Sequence, residues 1–260
     1  EEAREAGIEE FIFVTGRQKE MLEEHFDYQP ELEQTLNARG KDDMLKKVRD
    51  IEMPAGKLFL TRQPKPLGLG HAIWCAQKLI GDEPFAVLLP DVLMRGKTGC
   101  LKQMVDIYDE TGGNIIALEE VPEDETYKYG IIEPGEDTGK RVEVKSMIEK
   151  PEAGTAPSNL SVVGRYILQP EVFEPLSAFE RGAGNEIQLT DSMAKLIGKQ
   201  PFYGMRFDGK SYDCGSRTGF IEANLVYSLN DPEIGDHIKN MLKTIVTDIE
   251  ETGGQNAAAE

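Results

Sequence analysis

The sequence predicts an α/β fold in which a mixed, mostly parallel sheet is flanked by helices. Three observations carry this. Short continuous apolar runs, Phe11-Ile12-Phe13-Val14 and Phe85-Ala86-Val87-Leu88-Leu89, have the length and unbroken apolar character of strands buried on both faces. Segments of helical period lie between such runs, as at 71–80, where Ile73, Ala76 and Ile80 recur on one helix face. The chain has 260 residues, enough for one large domain with a sizeable core.

In chain order, residues 1–7 read as the last turns of a helix closed by Gly7 as a C-cap. The strand at 11–14 ends at Thr15-Gly16, and a helix follows at 18–25. Residues 31–52 are charged and helical, interrupted at Gly40. Strands at 58–60, 85–89 and 114–118 alternate with helices at 71–80 and around Leu101, Met104, Val105 and Tyr108. Gly- and Pro-rich turns then join strands at 129–133, 141–148 and 162–168. Helices return at 170–177 and 190–197, a strand follows at 202–207, and helices near 216–229 and 232–250 close the chain. A single domain is expected over 1–250, with 251–260 a frayed, disordered tail.

Composition narrows the function classes. With 39% hydrophobic and 29% charged residues the chain is globular rather than disordered. A formal net charge of -18 disfavours nucleic acid as a partner, because phosphate backbones need a basic face. A nucleotide is still admissible if a small cationic patch and a divalent metal offset phosphate repulsion. No run approaches the roughly 18 apolar residues of a membrane span, and no basic, apolar signal segment opens the chain, so a cytoplasmic protein is expected. Cys75, Cys100 and Cys214 are widely spaced, without CxxC, and suit reduced thiols.

Open α/β sheets gather ligands at the carboxyl ends of their strands, and three features fall there. Gln63-Pro64-Lys65-Pro66-Leu67-Gly68-Leu69-Gly70-His71-Ala72 follows the strand at 58–60. A glutamine amide offers one acceptor and two donors to a pyrimidine edge, and Gly68 and Gly70 leave room for a flat base against the backbone. Spacing alone favours the plainer reading, a Gly/Pro turn into a helix. Leu89-Pro90-Asp91-Val92 puts a carboxylate at a strand end, where it suits Mg2+ against substrate phosphates as well as it suits a turn cap. Met147-Ile148-Glu149-Lys150-Pro151 offers a sugar-hydroxyl acceptor and a phosphate partner, or else a surface ion pair contributing roughly 0–1 kcal/mol. Asp213, in Tyr212-Asp213-Cys214-Gly215, reads as a second metal carboxylate or as part of a helix N-terminus. His71 reads as a helix-packing residue, His25 and His237 as surface residues, and Asp208-Gly209-Lys210 as a turn.

Taken in order, residues 63–72, Leu89-Pro90-Asp91-Val92, Tyr129-Gly130, Ile148-Glu149-Lys150-Pro151, Pro157-Ser158-Asn159-Leu160, Val163-Gly164-Arg165-Tyr166, Gly184-Asn185-Glu186-Ile187-Gln188-Leu189-Thr190-Asp191 and Tyr212-Asp213-Cys214-Gly215 resemble the bacterial UTP–glucose-1-phosphate uridylyltransferases, from about residue 1 to about 245. The resemblance implies a Rossmann-like nucleotidyltransferase fold. It implies an enzyme of carbohydrate metabolism that makes UDP-glucose and pyrophosphate from UTP and glucose 1-phosphate with Mg2+, as a homo-dimer or homo-tetramer. By position it implies Gln63 at the uracil edge, Gly68 behind the base, and Asp91 and Asp213 on Mg2+. It implies Gly130, Glu149 and Val163 around the glucose and Lys150 on the sugar phosphate. Asn159 and Gly164 would shape that pocket, and Glu186 and Asp191 would support the sugar side.

The resemblance also sets an expectation about what the chain lacks. The family's glycine-rich loop, with its arginine and later lysine, precedes the helix matched by residues 1–7, and the family's first, central strand goes with it. Neither occurs in this sequence. Such a loop cradles a triphosphate with backbone N–H groups and cations, so the expectation is a chain close to inactive and poorly stable alone. Two readings stand beside the uridylyltransferase: a relative that uses dTTP or another sugar phosphate, and a non-catalytic nucleotide-sugar-binding subunit. A dinucleotide-binding dehydrogenase is disfavoured. Gly68-Leu69-Gly70 supplies two glycines of GxGxxG, but Ile73 stands where the third small residue belongs.

Overall fold

The computed structural model describes residues 1–17 and 19–256. Its elements run α1 (Glu2–Glu5), β1 (Phe11–Thr15), α2 (Glu20–Phe26), α3 (Pro30–Ala38), α4 (Asp42–Ile51), β2 (Leu58–Arg62), α5 (Leu69–Trp74), α6 (Gln77–Ile80), β3 (Phe85–Leu88), β4 (Val92–Arg95), α7 (Cys100–Thr111), β5 (Asn114–Glu120), β6 (Gly130–Asp137), β7 (Arg141–Glu149), β8 (Leu160–Leu168), α8 (Phe173–Leu176), α9 (Leu189–Ala194), β9 (Phe202–Arg206), β10 (Lys210–Asp213), α10 (Arg217–Leu229) and α11 (Gly235–Asn256). The chain packs as two compact units. One comprises Glu1–Val87 with Thr98–Asp208, the other Leu88–Lys97 with the residues from Gly209 on.

The first unit is built on a six-stranded sheet in the order β3-β8-β5-β9-β7-β6, with a separate two-stranded sheet of β1 and β2. The α/β class holds, but the expected parallel majority does not. Among the described registers β1–β2 and β5–β9 are parallel. Those of β5–β8, β6–β7, β6–β8 and β7–β9 are antiparallel. The reason is local. Thr138 and Arg141 close a short return between β6 and β7, with the Thr138 N–H donating to the Arg141 carbonyl at 2.9 Å. Short returns make antiparallel neighbours, whereas parallel ones need a long crossover.

Apolar continuity also overstated burial. Residues of β1 and β3 are half-buried throughout, because β1 pairs with β2 and β3 lies at one end of the sheet. The fully buried strands are β5 and β8, at the centre. Ile115, Ile116 and Leu168 are fully buried there, as are Leu101 and Met104 on α7, which packs over both strands. Each such side chain contributes about 2 kcal/mol of apolar burial.

α1 ends as its sequence predicts. Gly7 has φ +88, the Gly7 N–H donates to the Arg4 carbonyl at 3.0 Å, and the Ile8 N–H reaches back to Ala3 at 3.0 Å. The helix is fastened by a buried ion pair. Arg165, on β8, donates from Nη2 to Glu2 Oε2 at 2.9 Å and from Nε to Oε1 at 3.1 Å, and its Nη1 takes the Gly164 carbonyl at 3.1 Å. Glu2 Oε1 also accepts from the Leu101 N–H at 3.1 Å, and Glu5 Oε1 from Gly99 at 3.1 Å. Two carboxylates from another element therefore satisfy orphan donors at the start of α7, where negative charge is favoured.

The helix expected at 71–80 is broken into α5 and α6, and 31–52 divides at Gly40, where φ is +63. In the second unit β4 and β10 pair antiparallel, with Lys210 opposite Arg95 and Asp213 opposite Val92. Each has four residues, too few to show a period. The turn expected at 208–210 therefore ends one residue earlier. Ser216 caps α10, accepting from the Gly219 N–H at 3.1 Å. α11 extends through Asn256, and 257–260 of the expected tail lie outside the described residues. Among the described residues no helix is long and apolar enough to cross a membrane.

The Glu2–Arg165 pair yields a prediction. Arg165→Met leaves a carboxylate with its partner gone and should lower the unfolding free energy by about 3 kcal/mol in urea denaturation. Adding Glu2→Leu should recover most of that loss. A single-variant loss below about 1 kcal/mol would show that the pair is incidental to the fold.

Candidate functional site

The loop after β2 is held from two sides. The Gln63 N–H continues the β1–β2 ladder by donating to Thr15 at 2.9 Å. The Ile187 N–H then donates to Leu67 at 2.7 Å, and the Gly70 N–H to Ile187 at 2.9 Å, so 67–70 run against 186–188. Gly68 takes φ +104 there. A Cβ on Gly68 would lie 2.8 Å from the Glu186 Cβ and 2.9 Å from the Ile187 oxygen, and one on Gly70 would lie 2.7 Å from the same oxygen. The space a side chain would take is filled by the protein's own 186–188 segment, so the close approach of the two segments requires glycine at both positions. The Gln63 side chain donates from Nε2 to the Gly68 carbonyl at 3.0 Å and lies 3.1 Å from His71 Nδ1.

A second group forms where β6, β7 and α9 meet. Gly130 and Glu149 are cross-strand partners. Glu149 Oε2 accepts from the Thr190 hydroxyl at 2.8 Å, and a Cβ on Gly130 would lie 3.0 Å from that carboxylate and 3.3 Å from Thr190 Oγ1. The missing side chain at Gly130 thus makes room for Glu149 and Thr190. Thr190 is the residue sequence reasoning passed over. A hydroxyl on the first turn of a helix looks like a cap, and its carboxylate partner lies 41 positions away. Burial and the nearby Glu149 charge hold the Tyr166 phenol above its ordinary range, so it stays an O–H.

Lys150 follows at the end of β7 with φ +49, an unfavourable conformation for a side-chain-bearing residue and one further restricted by Pro151. Its N–H donates to the Tyr129 carbonyl at 3.0 Å, which anchors the strained residue. The side chain is exposed and, among the described residues, makes no ion pair. Strain of this kind, about 1–3 kcal/mol, persists where its surroundings impose it and often marks a functional position.

Val163 and Gly164 lie on buried β8 at an irregularity. Ile116 pairs with Tyr166 and Leu118 with Val162, so Val163, Gly164 and Arg165 bulge opposite Ala117, with Gly164 at φ +39. Asn159 precedes that strand, and its carbonyl accepts from the Val121 N–H at 3.0 Å. Glu186 is exposed and accepts from Gln188 Nε2 at 3.3 Å. Asp191, on α9, has its carboxyl pushed up by burial, and it packs where a Gly182 side chain would be.

The second unit holds the two aspartates. Asp91 lies in the turn between β3 and β4, Asp213 at the end of β10, and the Cys214 N–H ties the two segments by donating to the Asp91 carbonyl at 2.7 Å. The Gly215 N–H donates to Asp213 Oδ1 at 2.9 Å. A Cβ on Gly215 would lie 3.0 Å from Asp213 Oδ1 and 3.4 Å from Asp91 Oδ2. Both carboxylates therefore flank one glycine, two exposed hard-oxygen donors brought together from positions 91 and 213. Among the described residues no group of three or more metal-ligating side chains forms.

Residues 1–229 match the family model described as nucleotidyl transferase. The chain is 48% identical over 245 residues to the UTP–glucose-1-phosphate uridylyltransferase of Staphylococcus haemolyticus, covering 94% of this chain and 85% of that one. The chain belongs to the UTP–glucose-1-phosphate uridylyltransferase family. Solved structures agree with this family assignment. The UTP-bound UGPase from Acinetobacter baumannii superposes with a TM-score of 0.84 at 39% identity, over 93% of this chain and 84% of that one. A UDP-glucose pyrophosphorylase complexed with UDP-glucose gives 0.79 at 42% identity, over 87% and 83%.

The clamp on the loop after β2 is testable. Gly68→Ala combines a forbidden φ with a clash against backbone and should cost about 3 kcal/mol of stability. Thermal and urea denaturation of the variant would measure it. Parent-like stability would mean that 67–70 are not held against 186–188.

Proposed function

We propose that this chain is the enzyme that joins UTP to glucose 1-phosphate, forming UDP-glucose and releasing pyrophosphate. The observation that carries the reading is the 48% identity over 94% of the chain to a relative named for that reaction. The geometry supports it. Gln63 suits a pyrimidine edge, and Glu149, steadied by Thr190, suits a sugar hydroxyl that Gly130, Asn159, Val163 and Gly164 would surround. Glu186 and Asp191 suit the sugar side.

The chemistry is a direct displacement. An oxygen of the sugar phosphate attacks the α-phosphorus of UTP in line, the bond to the β-phosphate oxygen breaks, and pyrophosphate leaves with that electron pair. No protein nucleophile takes part, so the residues act by positioning and by charge. Lys150 neutralises the attacking phosphate with a cation that no carboxylate has claimed among the described residues. The Asp91 and Asp213 pair suits Mg2+, which takes one or two carboxylates and completes its shell with water and phosphate oxygens. When bound, Mg2+ would offset charge on the reacting phosphates. Three unpaired thiols, Cys75, Cys100 and Cys214, support a reducing, cytoplasmic location. Burial pushes the Cys100 thiol up to about 12, so it stays unreactive.

The homo-oligomer is proposed on α11. Met241, Ile245 and Ile249 fall at helical spacing and are 39%, 44% and 63% exposed, an apolar stripe that a second copy would cover.

Two outcomes check these readings. In the presence of Mg2+, pyrophosphate release from UTP and glucose 1-phosphate should fall about 10²–10³-fold in Lys150→Ala. Asp213→Asn should raise the Mg2+ concentration needed. Parent rates in both variants would remove the assigned roles. By light scattering, Ile245→Asp with Ile249→Asp should halve the mass of the assembly or reduce it further. An unchanged mass would exclude α11 as the interface.

A further inference from the structure

The geometry points to His71 as a positioning residue that turns the Gln63 amide so that only its oxygen is left for a ligand, selecting bases that carry an imide N–H. The proposal rests on the reading that Gln63 meets the base, and it adds how that residue discriminates.

The orientation follows from acceptors. The Gly68 carbonyl, 3.0 Å from the amide, can only accept, so the group facing it is the Gln63 NH2. The same nitrogen lies 3.1 Å from His71 Nδ1, which must therefore accept the second N–H. His71 is then neutral with its proton on Nε2. Burial favours that state, depressing the imidazole below its ordinary range. The ring is held in place for the task, stacked on Trp74 at 6.2 Å between centroids and packed against Phe179 at 5.8 Å.

Both Gln63 donors are thus consumed inside the protein. Oε1 makes no hydrogen bond among the described residues, and Gln63 is half-buried rather than sealed. An amide in this state is an acceptor alone. Uracil and thymine present N3–H to such a group, whereas cytosine presents a lone pair at N3. The discrimination comes from an unpaired or repelled polar group in the wrong complex, the costlier side of hydrogen bonding.

Two measurements test this on the whole chain. First, the ¹⁵N spectrum of histidine-labelled protein, with His71 identified by its loss in His71→Asn, should show Nδ1 unprotonated and Nε2 protonated near neutral pH. A proton on Nδ1 overturns the inference. Second, calorimetry should compare UTP, dTTP and CTP binding in the parent, in His71→Phe and in His71→Asn. Phenylalanine keeps the stacking but cannot accept, while the asparagine oxygen stands close to where Nδ1 was. The preference for UTP and dTTP over CTP should fall about tenfold in His71→Phe and stay within about twofold of the parent in His71→Asn. A preference kept in His71→Phe, or lost equally in both variants, overturns the inference. Should His71→Phe not fold, the tautomer and the His71→Asn result decide. A parent with the expected tautomer but no preference among the three nucleotides would instead remove the underlying reading of Gln63.

Discussion

A guanidinium buried in the centre of a sheet must be paired or the fold fails, and much of the first unit is arranged around that requirement. Arg165 has a side chain 5% exposed on the central strand β8. An uncompensated charge there costs several kcal/mol. Glu2 compensates it from 163 positions away and in the same stroke satisfies the start of α7. The Gly164 carbonyl takes another of the arginine's donors, so the bulge and the ion pair are one feature. The bulge is where the chain departs from regular strand geometry, and Val163 and Gly164 sit within it. A demand for charge compensation in the core thus shapes the backbone at the proposed sugar pocket.

The same rule recurs at smaller scale. Gln63 and Glu149 each face the protein with part of their polar surface and, among the described residues, leave the rest unclaimed. Gln63 gives its donors to Gly68 and His71. Glu149 takes one donor from Thr190 through one oxygen. Internal satisfaction fixes a rotamer and removes the freedom that a ligand would otherwise have to freeze, typically about 0.5–1.5 kcal/mol for each flexible side chain. On the proposed reading, Thr190 and His71 would hold such groups in place without touching the ligand themselves.

That arrangement explains which parts were legible in the sequence. Runs with a clear period or unbroken apolar character, such as 114–118 and 216–229, appear as β5 and α10 within a residue or two. The placement of Asp91 and Glu149 at strand ends was legible because each closes or follows an apolar run. Partnerships were not. Nothing local in Glu2 announces Arg165, and nothing in Thr190 announces Glu149, because a hydrogen bond between distant residues leaves no periodic mark. The packing of the glycines was illegible for a related reason. Gly68 and Gly70 signal that something approaches the backbone closely, but not what, and here it is residues 186–188. Strand polarity was misjudged because helix–strand alternation predicts parallel pairing only while each connection crosses over, and the return at 138–141 does not.

Electrostatics then limits how such a chain can hold a polyphosphate. With 47 acidic and 29 basic residues its long-range field repels anions. Beyond about 8 Å that field is largely screened in physiological salt, so the contest is decided by groups within reach of the ligand. Several cations here are already committed. Arg49 is held by Glu33, Lys57 by Glu9 and Glu10, Arg165 by Glu2, Lys195 by Glu180, Arg206 by Asp137, and Lys210 by Glu222. A paired cation has little left for a phosphate, since binding one means breaking the other contact. Lys150 makes no ion pair among the described residues, and it is the one basic residue among them with a positive φ. Asp91 and Asp213 would add to the repulsion unless they carry a divalent cation, in which case the sign of their contribution reverses. In a chain this acidic, anion binding would rest on cations free of carboxylate partners, Lys150 among them, and on any divalent ion the aspartates hold, so on the proposed reading affinity for phosphates should follow metal occupancy more closely than net charge.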